Sequence, residues 1–347
     1  MPKTKKIIIT GTHLTPAIEL INQLKKDIDS WEIFYIGRNY NSHQNLSPSI
    51  ESVAIPKLNI KFFGFDSGKL DRRWLPNTLA GIPLTIKSLF KIYKLIAQIK
   101  PDVVVSFGGY ISVPVIFNSY LQKIPSITHE QTSTLSLSTK INSKFTNKVA
   151  LSFPTNLKND KYVVTGNLLR RQIFENKSKY FQNLKIKLPI IYITGGNQGS
   201  TILNQSIIKI LPTLTKNYFI IHQTGNQTDN NLKLNNYLPV NYIDDIGWVL
   251  NNANIIISRA GANTCQEIMA LNKKSILIPL KVSQQDEQNK NANLVLHKLP
   301  SQTIIISESE LNPNSLLNSI NKLIKRKSLN NKSFSINYDL LNLIKTL

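Results

Sequence analysis

At 347 residues with 41% hydrophobic content, the chain is long for one globular core and suits two domains of ordinary size. Its 42 Lys+Arg against 20 Asp+Glu give a net charge of +22, shared evenly between residues 1–163 and 164–347, so neither half is a basic tail. That charge suits phosphorylated substrates or an anionic membrane surface. The sequence has no zinc-ligand spacing, RNA-binding signature or Arg-rich arm, which argues against nucleic acid, and the single cysteine, Cys265, excludes an intrachain disulfide and fits a reducing compartment.

Lys3, Lys5 and Lys6 mimic the charged start of a signal peptide, but the apolar run after them, Ile7 to Ile9, is far too short for one. The uncharged stretch from Val103 to Gln122 is broken by Gly108-Gly109, Ser112, Pro114 and Asn118, and reads as strand, loop and helix start, not a membrane span. A cytoplasmic protein, attached to the membrane at most peripherally, is expected.

Apolar β-runs alternate with helical periodicity along the whole chain. Strands are predicted near 5–10, 32–37, 103–107, 125–129 and 147–152, with helices near 15–27, 83–99 and 114–122. A second series begins at Tyr162-Val163-Val164 and continues near 190–194, 218–222, 255–258, 275–278 and 303–306. Such alternation predicts βαβ units and parallel sheets: two Rossmann-like α/β domains facing a cleft. The expected division is 1–163, 164–333 and a final segment, 334–347, that packs back on the first domain.

Six of the predicted strands run into loops rich in glycine or polar residues, where an open parallel sheet places its ligands. Thr10-Gly11-Thr12-His13 holds one glycine before a helix start and, taken alone, is more simply an ordinary turn than a phosphate loop. Gly108-Gly109-Tyr110 is stronger, because two adjacent glycines after a buried strand allow close backbone approach, and Ser112 can cap the next helix. His129-Glu130-Gln131 ends an apolar strand and is equally compatible with a ligand-facing position or a satisfied turn. Gly195-Gly196-Asn197-Gln198-Gly199 packs three glycines into one turn and reads as a phosphate cradle. Arg259-Ala260-Gly261-Ala262-Asn263-Thr264 opens a helix carrying Glu267 one turn in. Its arginine offers a fork to a phosphate and its glutamate could accept from a ribose diol; the plainer alternative is a surface ion pair.

Asp27-Ile28-Asp29 has the form of a metal-binding pair but lies at a helix end, away from these loops, and reads as a solvated turn; no metal or cofactor is expected. Residues 69–100 hold seven basic groups and one acidic one. Ile86, Leu89, Phe90, Tyr93 and Ile96 share a helical face expected to pack into the core, beside a stripe of Lys87, Lys91 and Lys94. With Arg72, Arg73 and Trp74 in the loop before them, those lysines suit an anionic leaflet, at roughly 1 kcal/mol per basic group.

Taken together, the loops resemble the MurG family of N-acetylglucosaminyltransferases, which convert lipid I to lipid II in peptidoglycan synthesis. The resemblance runs from Ile7 to about Ala292 and rests on Gly108-Gly109-Tyr110-Ile111-Ser112, His129-Glu130-Gln131, Thr165-Gly166-Asn167 with Arg170, and Gly195 to Gly199. It continues through His222-Gln223-Thr224-Gly225, Tyr242-Ile243-Asp244-Asp245, Arg259 to Thr264 with Glu267, and Asp286-x-Gln288-x-x-Asn291-Ala292. It implies the GT-B glycosyltransferase fold and an inverting transfer without a metal.

By the same resemblance, Arg170, Asn197, Gln198, Gly199, Ile246, Thr264, Glu267 and Gln288 surround UDP-GlcNAc, with Ile246 at the uracil, Glu267 at the ribose, and Arg259, Ala262 and Thr264 near diphosphate and sugar. The acceptor, lipid I, falls to Thr10, Gly11, Thr12, Gly108, Gly109 and Tyr110 with His129, Glu130 and Gln131, and His13 takes the place of the family's proposed general base. The first loop departs from the family's Gly-Gly-Thr-Gly-Gly-His, reading Ile8-Ile9-Thr10-Gly11-Thr12-His13. That leaves a second acceptor open on the same fold, another lipid such as diacylglycerol.

Overall fold

The computed structural model describes residues 4–40, 47–65, 82–157, 159–196, 199–225, 234–281, 286–327 and 339–347, with backbone only at 82–87 and 182. The chain divides into two compact units, Met1–Leu168 with Asn337–Leu347, and Leu169–Ile336.

The first unit is built on seven parallel strands: β1 (Lys5–Gly11), β2 (Trp31–Arg38), β3 (Lys61–Phe65), β4 (Val103–Phe107), β5 (Ser126–Glu130), β6 (Lys148–Leu151) and β7 (Tyr162–Val164). Their order is β3-β2-β1-β4-β5-β6-β7. Alternate side chains of each strand serve opposite faces. Ile7 and Ile9 of β1, with Val103 and Val105 of β4, pack against α1 (Leu14–Leu24). The same layer takes in Leu340, Leu341 and Ile344 of the last helix (Asp339–Lys345), whose Lys345 pairs with Asp27. Ile8 and Val104 face the other way, onto Ile92, Ile96 and Ile99 of α3 (Ile82–Ile99) and Val115 and Ile116 of α4 (Ser112–Leu121). Two short helices, α2 (Ile50–Ala54) and α5 (Leu137–Asn142), complete the unit.

The second unit has six parallel strands: β8 (Ile190–Thr194), β9 (Phe219–Gln223), β10 (Tyr237–Val240), β11 (Ala253–Ser258), β12 (Ser275–Leu277) and β13 (Thr303–Ile305), in the order β10-β9-β8-β11-β12-β13. Ile191, Ile193, Ile255 and Ile257 bury one face under α6 (Thr201–Ile208), α7 (Leu211–Leu214) and α11 (Pro313–Ile324). Tyr192 and Ile256 face α8 (Ile246–Asn252), α9 (Ala262–Ala270) and α10 (Glu287–Lys298). The helix at 339–345 is α12.

Three features differ from the sequence reading. Tyr162–Val164 does not open the second series: it pairs with β6 as the edge of the first sheet. β3 and β10, which the pattern missed, are the opposite edges of the two sheets. On α3, Phe90 and Tyr93 do not join the core; they are 68% and 44% exposed, while Ile92, Ile96 and Ile99 form the buried stripe.

Candidate functional site

In each unit the strand order reverses at one place, between β1 and β4 in the first and between β8 and β11 in the second. Loops leaving the carboxyl ends of such strands diverge and open a crevice. The glycine loops lie at these two points.

In the first unit the loops after β1 and β4 are zipped together. The amides of Thr12 and His13 donate to the carbonyls of Gly108 (3.2 Å) and Phe107 (3.4 Å), and the buried Tyr35 hydroxyl donates to Gly11 O at 2.8 Å. Gly11 has φ 134°, and a β-carbon there would lie 2.6 Å from the Phe107 backbone, so glycine is required. A β-carbon on Gly109 would strike Thr12 at 2.3 Å, and one on Gly108 would lie 3.3 Å from His13 Nε2. The His13 imidazole is therefore held at the seam, at the N-cap of α1, without a capping bond of its own. Thr10 is fully buried. Ser112, expected to cap α4, is instead its first residue and donates to Gly109 O at 2.7 Å.

Burial and two charges set the state of His13. Burial, the largest influence, pushes the imidazole below its ordinary value; Glu130 opposes this and Arg38 reinforces it. Arg38, at the end of β2, was not anticipated from the sequence. It grips Glu51 with two hydrogen bonds, 2.6 and 3.1 Å, and its guanidinium carbon lies 5.9 Å from the centre of the Tyr110 ring. Burial alone would raise the Glu130 carboxyl, yet donors hold it below its usual range. Oε1 accepts from the Thr132 amide (3.2 Å) and hydroxyl (2.9 Å), and Oε2 from the Ser136 amide (2.8 Å). A charged carboxylate thus sits below the seam.

His129, Glu130 and Gln131 are all buried, at 1–2% exposure. His129 Nε2 lies 3.1 Å from the Gly166 carbonyl, so that nitrogen carries the proton; burial pushes the ring down to about 4, leaving it neutral.

In the second unit a pocket brings together Arg170, Ile246, Thr264 and Glu267 from the predicted donor set. Glu267 Oε1 accepts from Arg170 Nη2 (2.6 Å) and Nε (2.8 Å) across 97 residues of sequence. Tyr192, Gln223 and Tyr242, not assigned from the sequence, share the lining; the Tyr192 hydroxyl lies 3.0 Å from Gln223 Oε1. Tyr192 could have been found as an inward strand position with a polar tip, where alternation alone shows only hydrophobicity.

The glycines here differ in kind. A β-carbon on Gly195 or Gly199 would strike backbone at 2.3 or 2.2 Å, so these two shape the loop. Gly196, at φ 86°, and Gly261 would meet no described atom within 4 Å, so space is open above them. Gly261 is the N-cap of α9 with no side-chain cap, and the amides that follow, from Ala262 to Thr264, begin the helix. That terminus carries the positive end of the helix dipole. The start of α6, by contrast, is capped by Ser200.

Arg259 does not extend a free fork to a ligand. Its Nη2 donates to Glu308 at 2.6 Å, its Nε to Ser200 Oγ at 3.0 Å and its Nη1 to Ile278 O at 3.3 Å. Gln288 Oε1 accepts from the Leu280 amide at 3.0 Å. Asn197, Gln198, Arg72, Arg73, Trp74 and the Lys87 side chain lie outside the described residues. Lys91 and Lys94 are exposed on α3.

Two parallel α/β units, each with its loops at a strand-order switch, are the GT-B architecture. Residues 7–151 match the glycosyltransferase family 28 N-terminal domain and residues 190–340 the family's C-terminal domain. The chain is 34% identical over 338 residues to the UDP-N-acetylglucosamine–N-acetylmuramyl-(pentapeptide) pyrophosphoryl-undecaprenol N-acetylglucosamine transferase of Clostridium novyi, covering 93% of this chain and 91% of that protein. It is 34% identical over 354 residues to the Clostridium tetani protein of the same name, covering 96% of each. In fold it is similar to the crystal structure of Acinetobacter baumannii MurG, with a TM-score of 0.69 over 99% of this chain and all of that one at 21% identity. The chain belongs to the MurG family of N-acetylglucosamine transferases.

Proposed function

We propose that the chain transfers N-acetylglucosamine from UDP-GlcNAc to the N-acetylmuramyl 4-hydroxyl of lipid I, giving lipid II. Full-length kinship with the family carries this reading, and the two crevices suit its two halves. In the second unit, Ile246 and its neighbours take the uracil, Glu267 leaves Arg170 to accept from the ribose, and the open start of α9 takes the diphosphate. As the glycosidic C–O bond to UDP breaks, negative charge grows on the leaving phosphate, where the α9 amides stabilise it.

In the first unit His13 is the base. Neutral at physiological pH, it takes the proton of the acceptor hydroxyl while that oxygen attacks the anomeric carbon from the face opposite UDP, inverting the centre. Glu130 supplies the counter-charge for the imidazolium so formed. Gly108, Gly109 and Tyr110 line the acceptor side. The test is transfer of labelled GlcNAc to a short-chain lipid I analogue. Wild type should turn over and His13→Ala should lose about 10²- to 10⁴-fold, the usual worth of a positioned base. Turnover onto diacylglycerol but not lipid I would refute the acceptor assignment.

We also place the working enzyme at the cytoplasmic membrane face, held peripherally. No described helix is long and apolar enough to cross a membrane. Phe90 and Tyr93 of α3 and Tyr120 and Leu121 of α4 are exposed, the two helices are tied by Gln122 Nε2 donating to Tyr93 O, and Lys91 and Lys94 flank the aromatics. Aromatic rings among lysines suit an anionic leaflet. Vesicles containing phosphatidylglycerol should therefore sediment the wild type at low salt, and Phe90→Ser with Tyr93→Ser should weaken this; equal binding of neutral and anionic vesicles would refute the assignment.

A further inference from the structure

Glu308, in the loop after β13, stands outside every motif described above. Its Oε1 accepts from Arg259 Nη2 at 2.6 Å and its Oε2 from the Lys281 amide at 3.1 Å. Arg259 reaches on to Ser200 Oγ and Ile278 O. Beside Lys281, the Leu280 amide donates to Gln288 Oε1. One continuous network thus runs through the loops that leave β8, β11, β12 and β13, four of the six strands of the second sheet. It touches the Ser200 cap of α6 at one end and Gln288 at the other. Both members of the ion pair are mostly buried, with side chains 9% and 13% exposed. Removing one partner of such a pair leaves the other charge uncompensated and free to find a new position.

We infer that Glu308 is a positioning residue of the donor site, orienting Arg259 and the Ser200 cap on one side and the backbone that sets Gln288 on the other. This rests on the reading of the second unit as the UDP-GlcNAc site. Burial disfavours the Glu308 charge, but Arg259 and the Lys281 amide outweigh it and hold the carboxyl below its usual range. The Arg259 fork is thus held among Glu308, Ser200 and Ile278. The glutamate acts on the donor through the loops it holds, not by contact.

The experiment compares wild type, Glu308→Ala and Glu308→Gln as full chains. UDP-GlcNAc affinity is measured by calorimetry, and amide exchange over residues 199–203 and 278–281 by mass spectrometry without ligand. Glu308→Ala should raise Kd about tenfold and speed exchange in both segments; Glu308→Gln, which keeps its size and one acceptor, should fold normally and show a smaller change of the same sign. Combined with Gln288→Ala, the loss of affinity should fall well short of the product of the single losses, because both changes act on one network. Unchanged exchange, unchanged affinity or fully multiplicative losses in an otherwise binding protein would overturn the inference alone. A wild type that does not bind UDP-GlcNAc would overturn the donor reading and this inference with it.

Discussion

The role proposed for His13 depends on burial and two neighbours that act in opposite senses. Burial and Arg38 favour the neutral ring, and Glu130 favours the charged one. The acid limb of kcat/KM should therefore lie below 6.5, the ordinary value for imidazole. Glu130→Gln removes the only one of these influences that raises the value, so the limb should move to lower pH while the rate at pH 7.5 falls, because the imidazolium loses its counter-charge. A limb that moved upward in Glu130→Gln, measured by initial rates from pH 5 to 8, would refute this role. The polar type of each residue in His129-Glu130-Gln131 is legible in the sequence, but its depth is not. Burial there depends on Thr132 and Ser136 folding back as donors, and nothing in the spacing announces that.

At the scale of single elements, the start of α9 carries a trade between stability and function. Gly261 has φ −67° and ψ 147°, which any residue adopts, and open space where its side chain would go. Gly261→Asp should cap the helix and complement its dipole, stabilising the protein by about 1 kcal/mol. The same carboxylate would occupy and repel the position of the donor diphosphate, so KM for UDP-GlcNAc should rise at least tenfold as Tm rises. A variant that gained stability with an unchanged KM would show that the diphosphate lies elsewhere.

The strands β1, β4, β8 and β11 were visible because each holds a run of β-branched residues buried on both faces. Two edge strands, β3 and β10, were not. β3 contains Gly64 and β10 contains Pro239, which dilute the pattern where the sheet tolerates them. On α3 the apolar periodicity was real, but Phe90 and Tyr93 belong to an exposed stripe, and periodicity alone cannot tell a core from an exposed apolar face.

Across the whole molecule, acid should act first through buried histidines. His129 and His222 are both pushed down to about 4 by burial. His222 is held between Tyr237 and Asn204, at 3.1 Å from each. An unfolded chain takes up these protons near 6.5, before the folded one does, so stability is full above that value and falls as the pH drops toward 4. Each ring should contribute on the order of 3 kcal/mol across this window. Urea unfolding at pH 7 and 4.5 should show the loss, and His222→Gln should be less stable at pH 7 but less sensitive to pH. Equal pH sensitivity in the two proteins would refute the assignment.

The return of α12 to the first unit carries a consequence for how the protein is made. Leu340, Leu341 and Ile344 belong to the layer that covers β1 and β4, yet they leave the ribosome after the entire second unit. The second unit is in effect an insertion between two parts of the first. During synthesis the second unit has its full sequence while the first still waits for α12. The emerging chain can thus complete the half that holds Arg170 and Glu267 before the half that holds His13 and α3.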